Sequence, residues 1–135
     1  MAGQTQLSPG SHGKTVKGLV GSAVNFTWNF SGGSFGVRKF TWGLSNGGAD
    51  FIPNGALVSL DEFGNPVNVP NSPADYSGRV TGRLIGNKFS GQVIFTLSSI
   101  KKTDEKSYGC KLLPTKLFDG LKFDAVDLEI QGGYR

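Results

Sequence analysis

Apolar and polar residues alternate along much of this chain. The clearest run interleaves Val24, Phe26, Trp28 and Phe30 with Asn25, Thr27 and Asn29. A period of two places the four large groups on one face of a strand and the polar ones on the other, as in a half-buried β-strand. Comparable runs recur at 37–44, 56–60, 78–84, 92–100, 107–112 and 125–130, most of them bounded by Gly, Pro, Asn or Asp. Residues 15–20 predict one more strand and 49–52 a short one. Turns are expected at Ser31-Gly32-Gly33, 45–48, Gly64-Asn65-Pro66 and Gly86-Asn87. No ten-residue stretch combines helical spacing with caps. Short strands at such intervals predict an antiparallel sandwich or barrel without crossover helices.

At 135 residues the chain has the length of one domain and can bury a core without metal or disulfide staples. Its 21 glycines exceed the usual ~7% and fit a turn-rich fold. No run approaches the ~18 apolar residues of a membrane helix, and the polar stretch 2–17 is not a signal core. The 14 Lys and Arg against 10 Asp and Glu are scattered, with no comb of aromatics between them, so nucleic acid is not an expected partner. Residues 1–12 offer no apolar pattern to dock and are expected to form a disordered head. The domain is expected over 13–131, with 132–135 a tail or linker.

Catalytic chemistry has little support. The single histidine, His12, falls in the expected head, and Cys110 lacks a base to activate it. As the single cysteine it excludes an internal disulfide and any multi-cysteine metal site, and its plain reading is a buried apolar filler. Asp50, Asp61, Glu62 and Asp75 match no calcium-loop spacing. No catalytic, cofactor or metal residues are expected.

The more specific signal lies at 95–110, where an alternating strand leads into Asp104-Glu-Lys-Ser-Tyr108-Gly-Cys110. This segment resembles the E strand, EF corner and F strand of a variable-type (V-set) immunoglobulin domain. Gly21-Ser-Ala-Val24-Asn-Phe26-Thr-Trp28 resembles that family's B strand, and Trp42 stands where the core tryptophan of strand C belongs. The resemblance implies an all-β, V-type sandwich of two antiparallel sheets with Greek-key connections. It also implies a Tyr108 hydroxyl tied back to upstream backbone and an ion pair between Arg79 and Asp104. The long interval from Trp42 to Arg79 leaves space for C′ and C″ strands, at 49–52 and 56–60.

Besides Lys106, which stands where the family usually has Ala or Gly and can snorkel outward, two features depart from the family pattern. Trp28 occupies the place of the first cysteine, so the intersheet disulfide is replaced by an indole facing a free thiol. Such a bridge would close about 80 residues and contribute roughly 4–5 kcal/mol; filling the gap with a buried indole is the expected offset. Phe123-Asp124-Ala125-Val126 stands where antigen receptors carry a joining bulge, so an antibody or T-cell-receptor domain is not expected.

Among family members, these departures resemble the N-terminal domains of invertebrate (cnidarian) allorecognition and adhesion receptors. That resemblance implies an extracellular recognition module, an excised ectodomain reaching the membrane only through downstream segments. Its partner would be a protein, including the same protein on an apposed cell, bound through the C, C′, F and G face. The parity set by Trp42 and Cys110 puts Lys39, Thr41, Gly109 and Lys111 on that face. The apolar loop 112–123 adds Leu113, Leu117 and Phe118, either folded back onto the sheet or exposed to a partner. The alternative function is a carbohydrate-binding pattern-recognition domain, though assigning both tryptophans to the core leaves few aromatic platforms. A third reading, an intracellular spacer domain, would suit the unpaired thiol. Asn25-Phe26-Thr27 and Asn29-Phe30-Ser31 are glycosylation sequons whose asparagines are expected to face solvent.

Overall fold

The computed structural model describes residues 4–132. Ten strands account for nearly all the regular structure: β1 (Thr5–Pro9), β2 (Thr15–Leu19), β3 (Val24–Gly32), β4 (Val37–Ser45), β5 (Phe51–Asp61), β6 (Pro66–Val67), β7 (Val80–Asn87), β8 (Ser90–Leu97), β9 (Ser107–Pro114) and β10 (Lys122–Gln131). The order β1-β3-β8-β7 makes one sheet and β2-β10-β9-β4-β5-β6 the other. All pairs are antiparallel except β2 with β10, which run parallel. This is the variable-type immunoglobulin-like sandwich that the family resemblance implied, without an intersheet disulfide, since Cys110 is free and buried.

The alternation in β3 works as its sequence dictates. Val24, Phe26, Trp28 and Phe30 enter the core, while Asn25 and Asn29 are exposed. Trp42, from the facing sheet, stacks nearly parallel on Tyr108 (5.2 Å, 11°) and on Phe95 (5.8 Å, 8°). Offset aromatic contacts of this kind add about 0.5–1.5 kcal/mol each beyond their burial. Trp42 makes them although its indole N–H has no acceptor in the core.

Three expectations need correction. Residues 5–9 are not a frayed head but an edge strand paired with β3, Leu7 opposite Phe30 and Pro9 opposite Trp28. With a single partner strand, one buried threonine (Thr5) and a partly buried Leu7 suffice to dock it, a signal too sparse for a periodicity reading. The runs at 49–52 and 56–60 are not two strands but parts of β5, and the C″ strand is the two-residue β6. Pro53-Asn54-Gly55 looks like a turn, yet it is taken up as an irregularity in the pairing with β4. Asn54 adopts φ 57°, and Gly55 passes so close to Gly43 that a Cβ on Gly43 would lie 2.2 Å from the Gly55 carbonyl oxygen. Finally, Gly86 and Asn87 still belong to β7 and the chain reverses at Lys88-Phe89. There the Asn87 side-chain oxygen accepts the Phe89 N–H at 2.8 Å. Of the expected tail, residues 133–135 lie outside the described residues.

Candidate functional site: an outer sheet face, a loop tip and two intersheet joints

The first joint closes one end of the sandwich. Arg79, just before β7, holds Asp104, in the turn before β9, through Nη1 to Oδ2 at 2.8 Å and Nη2 to Oδ1 at 3.0 Å. The Lys101 backbone N–H donates to the same carboxylate at 3.0 Å. Burial alone would raise the Asp104 carboxyl, but the hydrogen bonds from Arg79 and Lys101, with the guanidinium charge, outweigh it and hold it below the usual carboxylate range. The Tyr108 hydroxyl donates to the Asp104 carbonyl at 2.6 Å, so the 3.0 Å contact from Tyr76 must be donated by the Tyr76 hydroxyl. Burial pushes both phenols above their ordinary value. The ion pair and the tyrosine corner implied by the family resemblance are thus both present.

The second joint was foreseen only in its indole and thiol, not in the carboxylate between the sheets. Trp28 and Cys110 are both fully buried, and Asp124 connects them. This residue stands opposite Cys110 in the β9–β10 pairing, and its Oδ2 accepts the Trp28 indole N–H at 2.7 Å. The other oxygen, Oδ1, accepts Lys14 Nζ at 2.7 Å. An intersheet hydrogen bond from a neutral donor to a carboxylate therefore lies where a covalent bridge would cross. Burial, and then the Asp124 carboxylate, push the Cys110 thiol well above its ordinary value, so it stays protonated and unreactive. His12 belongs to this region too. Its Nε2 accepts the Thr27 N–H at 2.9 Å, its Nδ1 pairs with the Gly13 carbonyl at 2.8 Å, and its ring meets Trp28 edge-on at 6.3 Å.

The outer face of the six-stranded sheet carries the expected Lys39, Thr41 and Lys111, with Thr41 and Ser59 sharing a hydroxyl contact at 3.2 Å. Lys39, Thr41, Asp50, Phe51 and Ser59 help line a groove of about 430 Å³. Sequence reasoning missed the aromatic pair beside it. The far end of the Phe123 ring covers Gly109, where a Cβ would come within 2.3 Å of its Cζ, and the ring packs edge to face with Phe51 at 5.1 Å. Lys111 Nζ sits 5.2 Å from the Phe51 centroid and donates to Asp50 at 2.7 Å. The glycine of the Tyr-Gly-Cys motif was the available clue, since a missing side chain on an outward position leaves room for a ring.

Loops gather at one end of this sheet. Thr115 N–H donates to the Gly36 carbonyl at 3.0 Å, and Val37 N–H to Lys88 at 2.8 Å, tying the β3–β4, β7–β8 and β9–β10 connections together. Leu113 is half-buried, whereas Leu117 (72%) and Phe118 (73%) stand largely in solvent. Of the two expectations for the 112–123 loop, exposure therefore applies to its tip. Phe118 meets Phe35 edge-on at 5.9 Å, and Lys116 Nζ stands 5.7 Å from the Phe35 centroid. Phe35, Phe89 and Leu121 are also exposed. Among the described residues no group of three or more His, Cys, Asp or Glu is placed to hold a metal.

No protein-family profile matches the chain, and no curated protein sequence matches it. Solved structures do. The structure of murine CRIg superposes with a TM-score of 0.66 at 17% identity, covering 96% of this chain and 100% of that one. A chain from a study of T cell specificity and activation by the bacterial superantigen toxic shock syndrome toxin-1 superposes with a TM-score of 0.63 at 15% identity, covering 94% and 99%. At such identities the likeness is one of fold: this chain has an immunoglobulin-like fold.

Proposed function

We propose that this domain is an extracellular recognition module of a cell-surface receptor, binding a protein through the outer face of its six-stranded sheet and the adjoining loop tip. The observation that carries the reading is the exposed set of Phe35, Leu117, Phe118 and Leu121, held on two loops that a backbone hydrogen bond from Thr115 to Gly36 ties together. Monomeric proteins rarely expose contiguous apolar groups without a use for them, and aromatics on a rigid support are the usual anchors of protein interfaces. The aromatic groups on the sheet favour protein over carbohydrate. Phe51 is already covered by the Lys111 ammonium and Phe123 lies on Gly109, so neither offers the bare ring face on which a sugar would stack.

Like-with-like binding between apposed cells is the specific form we infer, in keeping with the resemblance to cnidarian allorecognition receptors. The face carries both signs, Lys39 and Lys111 beside Asp50, Asp61 and Glu62, so a two-fold arrangement can set opposite charges against each other. Each partner would bury about 800 Å² or less, weak alone and strengthened by multivalency. Sedimentation and the aggregation of protein-coated beads test this. Phe118→Ala should weaken self-association at least about tenfold, the effect of losing an interface anchor, while Arg83→Ala on the other sheet should leave it unchanged. A strictly monomeric protein whose beads stay dispersed would overturn the homophilic form. Equal binding by both variants would overturn the choice of face.

A further inference from the structure

The four-stranded sheet has a different outer surface. Arg83 is the one charged residue in β1, β3, β7 and β8 together, and the groups facing out from β3 are Asn25, Thr27, Asn29 and Ser31. Exposed sheet surfaces are normally kept apart by charge, and this one has almost none. Yet it carries both sequons, and no other Asn-x-Ser/Thr triplet occurs in the chain.

The amide geometry is the same at the two sites. Asn25 Oδ1 accepts the Thr96 hydroxyl at 2.7 Å, and Asn29 Oδ1 accepts Gln92 Nε2 at 2.9 Å. In both, the oxygen is turned toward the neighbouring strand β8 and Nδ2, the atom that an N-linked sugar occupies, is left for solvent. Both asparagines are exposed, and four strand residues separate them by about 13 Å, enough for two bulky groups to stand side by side.

We propose that Asn25 and Asn29 both carry N-linked glycans and that these cover the four-stranded sheet, leaving the six-stranded sheet and the loop tip as the surface open to partners. The idea rests on the extracellular reading above. The glycans supply the solubility that the missing charges would otherwise give, and a partner approaching the neutral sheet meets carbohydrate first.

Translation of the full chain behind a supplied leader, in the presence of microsomes, reads site use without requiring secretion or folding. Two glycosidase-removable increments are expected for the parent, one each for N25Q and N29Q, and none for the double variant; zero or one in the parent overturns the proposal. The secreted glycoprotein, compared before and after glycosidase treatment, should keep its partner binding and lose solubility. Loss of binding on deglycosylation would overturn the shielding role. Because the increments are counted with no partner present, failure of the glycan proposal and failure of the recognition reading are separable.

Discussion

At one end of the sandwich Arg79 and Asp104 meet through two parallel hydrogen bonds, with the aspartate side chain 1% exposed. Near its middle, Trp28 and Asp124 meet through one, and the aspartate is 19% exposed beside a lysine that is 64% exposed. Both joints tie a residue of one sheet to a carboxylate from the other, but they hold by different physics. The first depends on a charge pair shielded from water, where removing one partner strands the other. The second depends mostly on the apolar bulk of the indole, its polar contact being partly open to solvent and the lysine beside it adding little.

Truncations should separate the two. Trp28→Ala removes a fully buried indole and the donor to Asp124 Oδ2, and should lower unfolding free energy in urea by about 3–5 kcal/mol. Trp28→Phe keeps most of the bulk and loses only the charged hydrogen bond, worth about 1.5–3 kcal/mol. If both cost the same, the polar contact dominates the joint and the contrast drawn here is wrong. Asp104→Ala should cost about 3–5 kcal/mol, the range for breaking a buried pair. Lys14→Ala should cost no more than about 1 kcal/mol.

The pH dependence distinguishes them further. Asp104 titrates below its ordinary value of 3.8 in the fold, so its contribution is complete above that pH and disappears as the pH falls through the lowered native value. Acid unfolding should begin below about pH 4, and Asp104→Asn should flatten that limb. On the alkaline side Cys110 is raised above 9.0. The unfolded chain then loses its thiol proton first, and stability should fall as pH rises past that value, a limb that Cys110→Ala should weaken. Chemical-denaturation midpoints across pH report both.

The Arg79 joint was legible through the family resemblance: Asp104, Tyr108 and Cys110 form a compact motif within one turn and the start of a strand, and that resemblance supplied Arg79, just before β7, as the partner. The Trp28 position was legible as a missing cysteine and a bulky substitute. Its acceptor was not, because Asp124 lies on a strand far along the chain, and in the alternation an inward carboxylate reads only as a broken pattern. The same limit applied to the outer face. Lys39, Thr41 and Lys111 follow from strand parity, whereas Phe51 and Phe123 become neighbours only through the irregular β4–β5 pairing and the space above Gly109. The edge strand β1 escaped because a strand with one partner needs little apolar content.

One consequence concerns where and how such a domain can be made. Its two layers close around an indole and a solitary sulfur, so reaching the native state requires no oxidant, no isomerase and no choice among thiol pairings. Reducing agents that would loosen a bridged relative should leave its melting temperature untouched, and the folded chain should pass between reducing and oxidising surroundings without changing its covalent structure.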